Sequence, residues 1–378
     1  MKTTKHVRLA RCLSLFGVLL ALVVMLLGAW TRLVDAGLGC PDWPGCYGKL
    51  VVPDDATALA HSPHVPLDPG KAWAEMFHRY MAGVLGLLVL GLTFLAWRAR
   101  SVAGYPWRTS AVLLLAILLQ GAFGAFTVTL KLWPQVVVLH LLGGLGVTLL
   151  FLWLYLSLRR IDARARGGYR LSRPGALWLI AIGLLVLQIA LGGWTSSNYA
   201  GIACHGVPTC NGQWWPTMDW SEGFNLTQTI GPNYLYGQLH AEARTAIQVA
   251  HRLGAIALGL VMLLLTVRYW HRRVLRPYLT LLSGIYALQL GLGIANVLLW
   301  LPLDLALAHT AGAVLLALVM TMTVWRATSL PQSCSSSMNE NAAETSGLGG
   351  VLTLVSRRQH RKLRYETQRP WLPEGTDQ

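Results

Sequence analysis

Ionisable side chains are scarce in this chain: only 12% of its 378 residues are charged, and just 16 are acidic. Soluble domains carry roughly a quarter of their residues charged, so so little charge excludes an ordinary soluble domain. No A-x-A cleavage site follows the first apolar run, and that run is long for a signal peptide. Lys2, Lys5, Arg8 and Arg11 in front of it therefore introduce a retained span.

Apolar residues are abundant, at 54% of the chain. They gather into eight runs, near residues 13–30, 77–97, 109–130, 136–157, 174–196, 247–268, 278–300 and 303–325. Each matches the length a helix needs to cross a hydrocarbon layer of about 30 Å. The expected fold is an all-α integral membrane protein with eight transmembrane helices.

The formal charge of +15 raises the question of nucleic acid, and its distribution answers it. Of the 31 Lys and Arg, 24 fall in the tails and alternate loops on the tail side and 7 on the opposite side. That asymmetry is the positive-inside signal of a multi-pass protein with both termini cytoplasmic. No nucleic-acid partner is expected, and membrane lipid is the surrounding medium.

A repeat organises the chain. In GAWTRLVDAGLGCPDWPGC and GGWTSSNYAGIACHGVPTC, Trp30, Thr31, Gly37, Cys40, Pro44 and Cys46 match Trp194, Thr195, Gly201, Cys204, Pro208 and Cys210, each 164 positions on. EMFHRYMAG around His78 matches QVAHRLGAI around His251. Gln120 and His140 share a spacing of 20 with Gln289 and His309, and Gly124 matches Gly293. Two tandem pseudo-symmetric four-helix bundles follow, each entering from the cytoplasmic side as a parallel repeat.

The implied organisation is a cytoplasmic N-tail over 1–12, an N-terminal half over 13–160, a basic linker over 161–173, a C-terminal half over 174–326 and a disordered tail over 327–378. That tail reads SCSSSMNENAAETSG before a basic stretch. Cys12 and Cys334 fall on the cytoplasmic side as free thiols.

His78, His140, His251 and His309 fall at one depth, near the outer ends of the four even-numbered spans. Two neutral imidazoles facing each other across a bundle suit a six-coordinate heme iron, so each half offers an iron site. For a single intramembrane His, an interhelical hydrogen bond is an equal alternative; four in register favour heme. Gly143, Gly144, Gly254 and Gly312 would let helices or a porphyrin edge approach. Covalent attachment is not expected, since no C-x-x-C-H occurs.

The cysteines of the two outer loops read as disulfides, Cys40 with Cys46 and Cys204 with Cys210, closing a lid over each bundle. A metal site from Cys204, His205 and Cys210 is the weaker alternative, because Pro41 replaces His205 in the other half. The outer-loop histidines His61, His64, His205 and His240 read as solvated, and Trp214, Trp215 and Trp220 as an interfacial belt.

The halves differ in charge. Arg32 and Asp35 correspond to Ser196 and Tyr199, and Glu75 to Gln248. An ionisable group near the membrane boundary is a functional candidate, so Glu75, three residues before His78, leads, with an ion pair to Arg79 or Arg32 as its structural alternative. Arg79 and Arg252 occur in both halves, as candidate contacts to heme propionates or as snorkelling side chains.

These motifs resemble the heme A synthase family, over residues 13 to 326. The resemblance rests on TRLVDAGLGCPDWPGC, EMFHR, the Gln and His of LLQ…LHLLGG, and the counterparts HRLGA and LAHTAGA. It implies an oxidoreductase of the bacterial plasma (inner) membrane that serves respiratory oxidase assembly. The C8 methyl of heme O would be oxidised through a hydroxymethyl to a formyl group, giving heme A for heme-copper terminal oxidases.

On the same resemblance His78 and His140 flank the substrate heme, His251 and His309 ligate a heme b cofactor, and Glu75 with His78 is catalytic. The implied partners are heme O, a heme O synthase, terminal oxidase assembly factors and an electron donor whose identity the sequence does not give. The competing classes are a diheme b-type electron carrier or quinol oxidoreductase, and a heme transporter or chaperone.

Overall fold

A computed structural model describes residues 2–164 and 169–331 of the chain. Within it eight helices are long and apolar enough to cross a membrane. They are α1 (Lys2–Leu33), α3 (Pro69–Arg98), α4 (Trp107–Thr129), α5 (Pro134–Arg164), α6 (Ala176–Ser197), α8 (Ala241–Tyr269), α9 (Arg276–Leu298) and α10 (Leu303–Thr328). Two short helices, α2 (Asp55–His61) and α7 (Trp220–Gly223), lie in the connections after α1 and α6.

Several helices outrun their apolar cores. The segment expected as an N-terminal tail continues the first span as helix from Lys2, and α3 starts eight residues before the expected 77. Apolar length sets the part of a helix that lies in hydrocarbon, whereas capping sets where it begins. Asp68 accepts from the Lys71 backbone N–H at 3.1 Å with Pro69 at the first helical position, a cap that contributes about 1 kcal/mol. The first residues of the expected disordered tail are ordered, since α10 runs to Thr328 and Ser329–Pro331 pairs as a short strand with Tyr169–Leu171 of the expected linker; the tail from 332 on, with Cys334, and residues 165–168 of the linker lie outside the described residues.

In the first half α1 packs on α3 and α5, and α4 also packs on both, which closes a ring in the order α1, α3, α4, α5. In the second half α6 packs on α8 and α10, and α9 joins α8 to α10. α5 also meets α6, and α1 meets α10. Leu92, Leu113, Phe151, Leu154, Leu265 and Leu279 are sealed in the shared core. Leu19, Leu87, Leu118 and Leu260 point outward, where hydrocarbon replaces water as their solvent. A Cβ at Gly17 would overlap the Phe151 ring, so glycine sets how closely α1 and α5 approach.

The two halves share local backbone detail. Among the described residues nine non-glycine positions have positive φ, and eight of them fall in four pairs at matching repeat positions. These are Asp35 with Tyr199, Tyr47 with Asn211, Lys131 with Trp300 and Leu132 with Leu301, at 53° and 53°, 51° and 54°, 50° and 62°, and 62° and 59°.

Candidate functional site

The four histidines sit on four different helices: His78 on α3, His140 on α5, His251 on α8 and His309 on α10. α3 stands opposite α5 across the first ring, and α8 opposite α10 across the second. His78 and His140 are close enough to interact electrostatically, and so are His251 and His309. The ring order therefore brings together the pairs that sequence spacing singles out.

Each imidazole lies over a glycine. A Cβ at Gly28 would stand 2.8 Å from His78 Cε1; the corresponding distances are 3.2 Å for Gly124 and His140, 3.3 Å for Gly192 and His251, and 3.2 Å for Gly293 and His309. A side chain there would crowd the ring, so the glycines make room for it.

The glycines that follow the histidines have another task. A Cβ at Gly143, Gly254 or Gly312 would overlap the side-chain amide of Gln120, Gln188 or Gln289. The Nε2 of Gln120 donates to the His140 carbonyl and that of Gln289 to the His309 carbonyl, both at 2.7 Å. Gln188 donates to the His251 carbonyl at 3.0 Å and lies 3.1 Å from the His251 ring Nδ1. The motif marks Gln120 and Gln289 but not Gln188, which has Val24 as its counterpart. The one available signal is a lone amide in the apolar run LLVLQIALGG.

These residues suit heme iron. All four histidines are partly exposed, while Nδ1 of His78, His140 and His309 is sealed without a partner. Nε2 is therefore the nitrogen that those three rings have left for ligation. Small residues and paired imidazoles across a helical ring supply both the ligands and the close approach that a flat macrocycle needs.

Glu75 is buried one turn before His78. Its Oε1 accepts from Arg79 Nη2 at 2.6 Å, and its Oε2 accepts from the Cys40 backbone N–H at 2.9 Å. Arg79 also donates to the carbonyls of Pro44 and Gly45. In the second half Gln248 takes the place of Glu75, buried with its Oε1 unpartnered. Arg252 donates to the carbonyls of Cys204, Gly206 and Thr209 at 3.1–3.2 Å. Both arginines, read from sequence as candidate propionate contacts, are occupied here in anchoring the disulfide loops to the helices that carry His78 and His251.

Those loops contain the bonded pairs Cys40–Cys46 and Cys204–Cys210. Their sulfurs are thus spent on each other, and among the described residues no cluster of three or more His, Cys, Asp or Glu could hold a metal ion by itself. His205, expected to be solvated, instead packs tilted against Trp300, with ring centroids 4.3 Å apart and an interplanar angle of 36°. The first loop packs Tyr47 against Ala58, Ala72 and Met76. Burial, with the Asp42 and Glu75 carboxylates, pushes the Tyr47 phenol above its ordinary pKa, so it stays protonated and donates to the Val65 and Pro66 carbonyls. Trp214 and Trp215 stand exposed on the second loop.

The halves meet through their unequal charges. Arg32 Nη1 donates to Tyr199 Oη at 2.8 Å, Arg32 Nη2 donates to the Ser196 carbonyl at 2.7 Å, and the Tyr199 hydroxyl donates to Asp35 Oδ1 at 2.7 Å. The Arg32 guanidinium also lies over the Tyr199 ring, 4.1 Å from its centroid. Burial raises the Tyr199 pKa, with Arg32 opposing it, which keeps the phenol a donor.

Fold and site together define a multi-span membrane protein with paired imidazoles across its helical rings and disulfide-closed outer loops. Residues 11–321 match the family model COX15-CtaA, described as cytochrome oxidase assembly protein, and the chain belongs to that family. A heme A synthase from Shewanella oneidensis is 45% identical over 305 residues, 79% of this chain and 91% of its own length. One from Rhizorhabdus wittichii is 30% identical, over 82% of this chain and 90% of its own, and one from Shouchella clausii 27% identical, over 80% and 90%.

Proposed function

We propose that this chain performs the reaction for which its relatives are named, converting heme O to heme A. The observation that carries the reading is that two similar imidazole pairs are available and only one has a carboxylate beside it. His78 and His140, with Glu75 one turn away, hold the substrate heme. His251 and His309, with Gln248 in the equivalent place, hold a heme b. When bound, that heme b supplies a one-electron redox centre. The reaction oxidises the C8 methyl in two steps, through a hydroxymethyl to a formyl group.

In this reading the first ring positions the substrate between its imidazoles. Glu75, held by Arg79 and the Cys40 N–H, stabilises positive charge or takes a proton as the methyl carbon is oxidised. The disulfide loops cover the outer ends of the rings and limit water there. The two halves are tandem pseudo-symmetric bundles in parallel, both termini face the cytoplasm of a bacterial inner membrane, and the product serves heme-copper oxidase assembly. A diheme carrier would have no use for a carboxylate at one iron pair alone.

The test is to purify the protein in detergent, extract its non-covalent hemes and identify them by chromatography, beside a reduced-minus-oxidised spectrum. Heme b together with heme O or heme A is expected. Two hemes b per chain, with no heme A formed from added heme O, would make it an electron carrier.

A further inference from the structure

The arginines beside the histidines, Arg79 and Arg252, are spent on Glu75 and on loop carbonyls. A second pair of cations is not. Lys71 on α3 lies seven residues before His78, and Arg244 on α8 lies seven residues before His251, so the two cations match in the repeat as the histidines do. Among the described residues no hydrogen bond or ion pair engages the side chain of either, and the Arg244 Nε is sealed without an acceptor. The carboxylates close to them in sequence are engaged elsewhere. Asp68 caps α3, Glu75 is held by Arg79, and Asp219 and Glu242 face His240.

Seven residues are two helical turns, so each cation shares a face with its histidine and stands about 10 Å nearer the end of the helix that carries the disulfide loop. That face points inward. Trp73 and Phe77, on the other side of α3, and Leu253, on the other side of α8, are exposed, whereas Lys71 and Arg244 are half-buried. The loops close over both cations: a Cβ at Gly39 would overlap the Lys71 backbone, and one at Gly223 would overlap the Ala243 carbonyl next to Arg244. Snorkelling to lipid headgroups needs a lipid-facing position, and on these turns those positions belong to Trp73, Phe77 and Leu253.

We infer that Lys71 and Arg244 bind heme propionates, Lys71 in the first ring and Arg244 in the second. The inference rests on the reading that each ring holds one heme between its imidazoles. A half-buried guanidinium without an acceptor costs free energy until an anion meets it. A heme carries both of its carboxylates on one edge, and with the imidazoles near the loop-closed ends of the helices that edge is accommodated toward the loops, since the other direction leads into hydrocarbon. Lys71 and Arg244 stand on that side of the histidines, on the histidines' own face, and a long cationic side chain there supplies charge-assisted hydrogen bonds to a carboxylate. Glu75 and Gln248 lie between cation and histidine on the same stripe of each helix.

The full-length protein, purified in detergent with its hemes, would be mixed with excess apomyoglobin and the release of each heme followed, beside a redox titration of heme b. Arg244→Gln should speed heme b release by about ten- to a hundredfold, the range for losing one hydrogen bond to a charged group. It should also lower the heme b midpoint potential, because a cation near the iron favours the reduced form. Arg244→Lys should restore most of both, which a packing defect would not allow. Lys71→Gln should speed release of the first-ring heme by a similar factor and leave heme b in place, and it carries the test in the other half if Arg244→Gln does not fold.

Release at the wild-type rate in both glutamine variants, with the heme b midpoint unchanged in Arg244→Gln, would overturn the inference. The functional reading fails separately, if neither His140→Ala nor His309→Ala loses heme.

Discussion

The carboxylate of Glu75 accepts the backbone N–H of Cys40 at 2.9 Å, so the residue nearest His78 with a negative charge is also the residue that seats the first disulfide loop. One side chain thus links the outer loop to the helix that carries His78. Its charge is matched by Arg79 at 2.6 Å, and in the second half neither the charge nor the loop bond is reproduced by Gln248.

Glu75→Gln keeps the size of the side chain and an oxygen for the Cys40 N–H while removing the charge. Heme A formation should fall by about a hundredfold or more, the usual range for loss of an acid–base group. Heme held by His251 and His309 should stay. Extraction and chromatography of the hemes measures both, and parallel loss of the two would argue that Glu75 only supports the fold.

Gly124→Leu and Gly293→Leu should each empty one ring. The added side chain drives into His140 in the first case and into His309 in the second, from Cβ positions 3.2 Å away. Heme per chain should drop to about half in each variant. The heme that remains should be b-type in Gly124→Leu, and the substrate or product heme in Gly293→Leu.

Replacing Cys40 and Cys46 by serine opens a loop with a sequence separation of 6, and the chain-entropy relation puts the loss at about 2 kcal/mol. Thermal unfolding in detergent should begin at a lower temperature, with the bis-imidazole spectrum intact because no iron ligand is touched. Zinc recovered with the unmutated protein and lost from the variant would instead revive a cysteine metal site.

Tyr199→Phe removes a donor to Asp35 and an acceptor for Arg32 while leaving the ring under the guanidinium. A destabilisation of about 0.5–1.5 kcal/mol is expected, the net range for a hydrogen bond between groups that water still partly reaches. Heme content should be unaffected. A shift smaller than that in the unfolding midpoint would mean that water replaces the phenol.

The eight spans are legible in the sequence because crossing a bilayer demands a long apolar run, a signal few other structures imitate. Helix ends were less so: α1 from Lys2 and α3 from Pro69 extend into polar sequence, where caps rather than hydropathy decide. His78, His140, His251 and His309 could be singled out because duplication displays each motif twice. The same device hid Gln188, whose role exists in one copy only. It also misdirected the reading of Gly143, Gly254 and Gly312, since spacing shows that room is needed but not that a glutamine amide occupies it. Arg79 and Arg252 were legible as a shared pair. Their engagement with loop carbonyls depends on the path of the backbone, which no residue pattern specifies.

Asp35 and Tyr199 hold the same position in two copies of one motif, and they touch each other. Two first halves brought together in this way would set one aspartate against another, and two second halves would pair phenol with phenol without the arginine. The contact is satisfied only between unlike copies. Complementary side chains at matching positions suit the two halves of one chain to each other and discourage one molecule from exchanging a half with its neighbour.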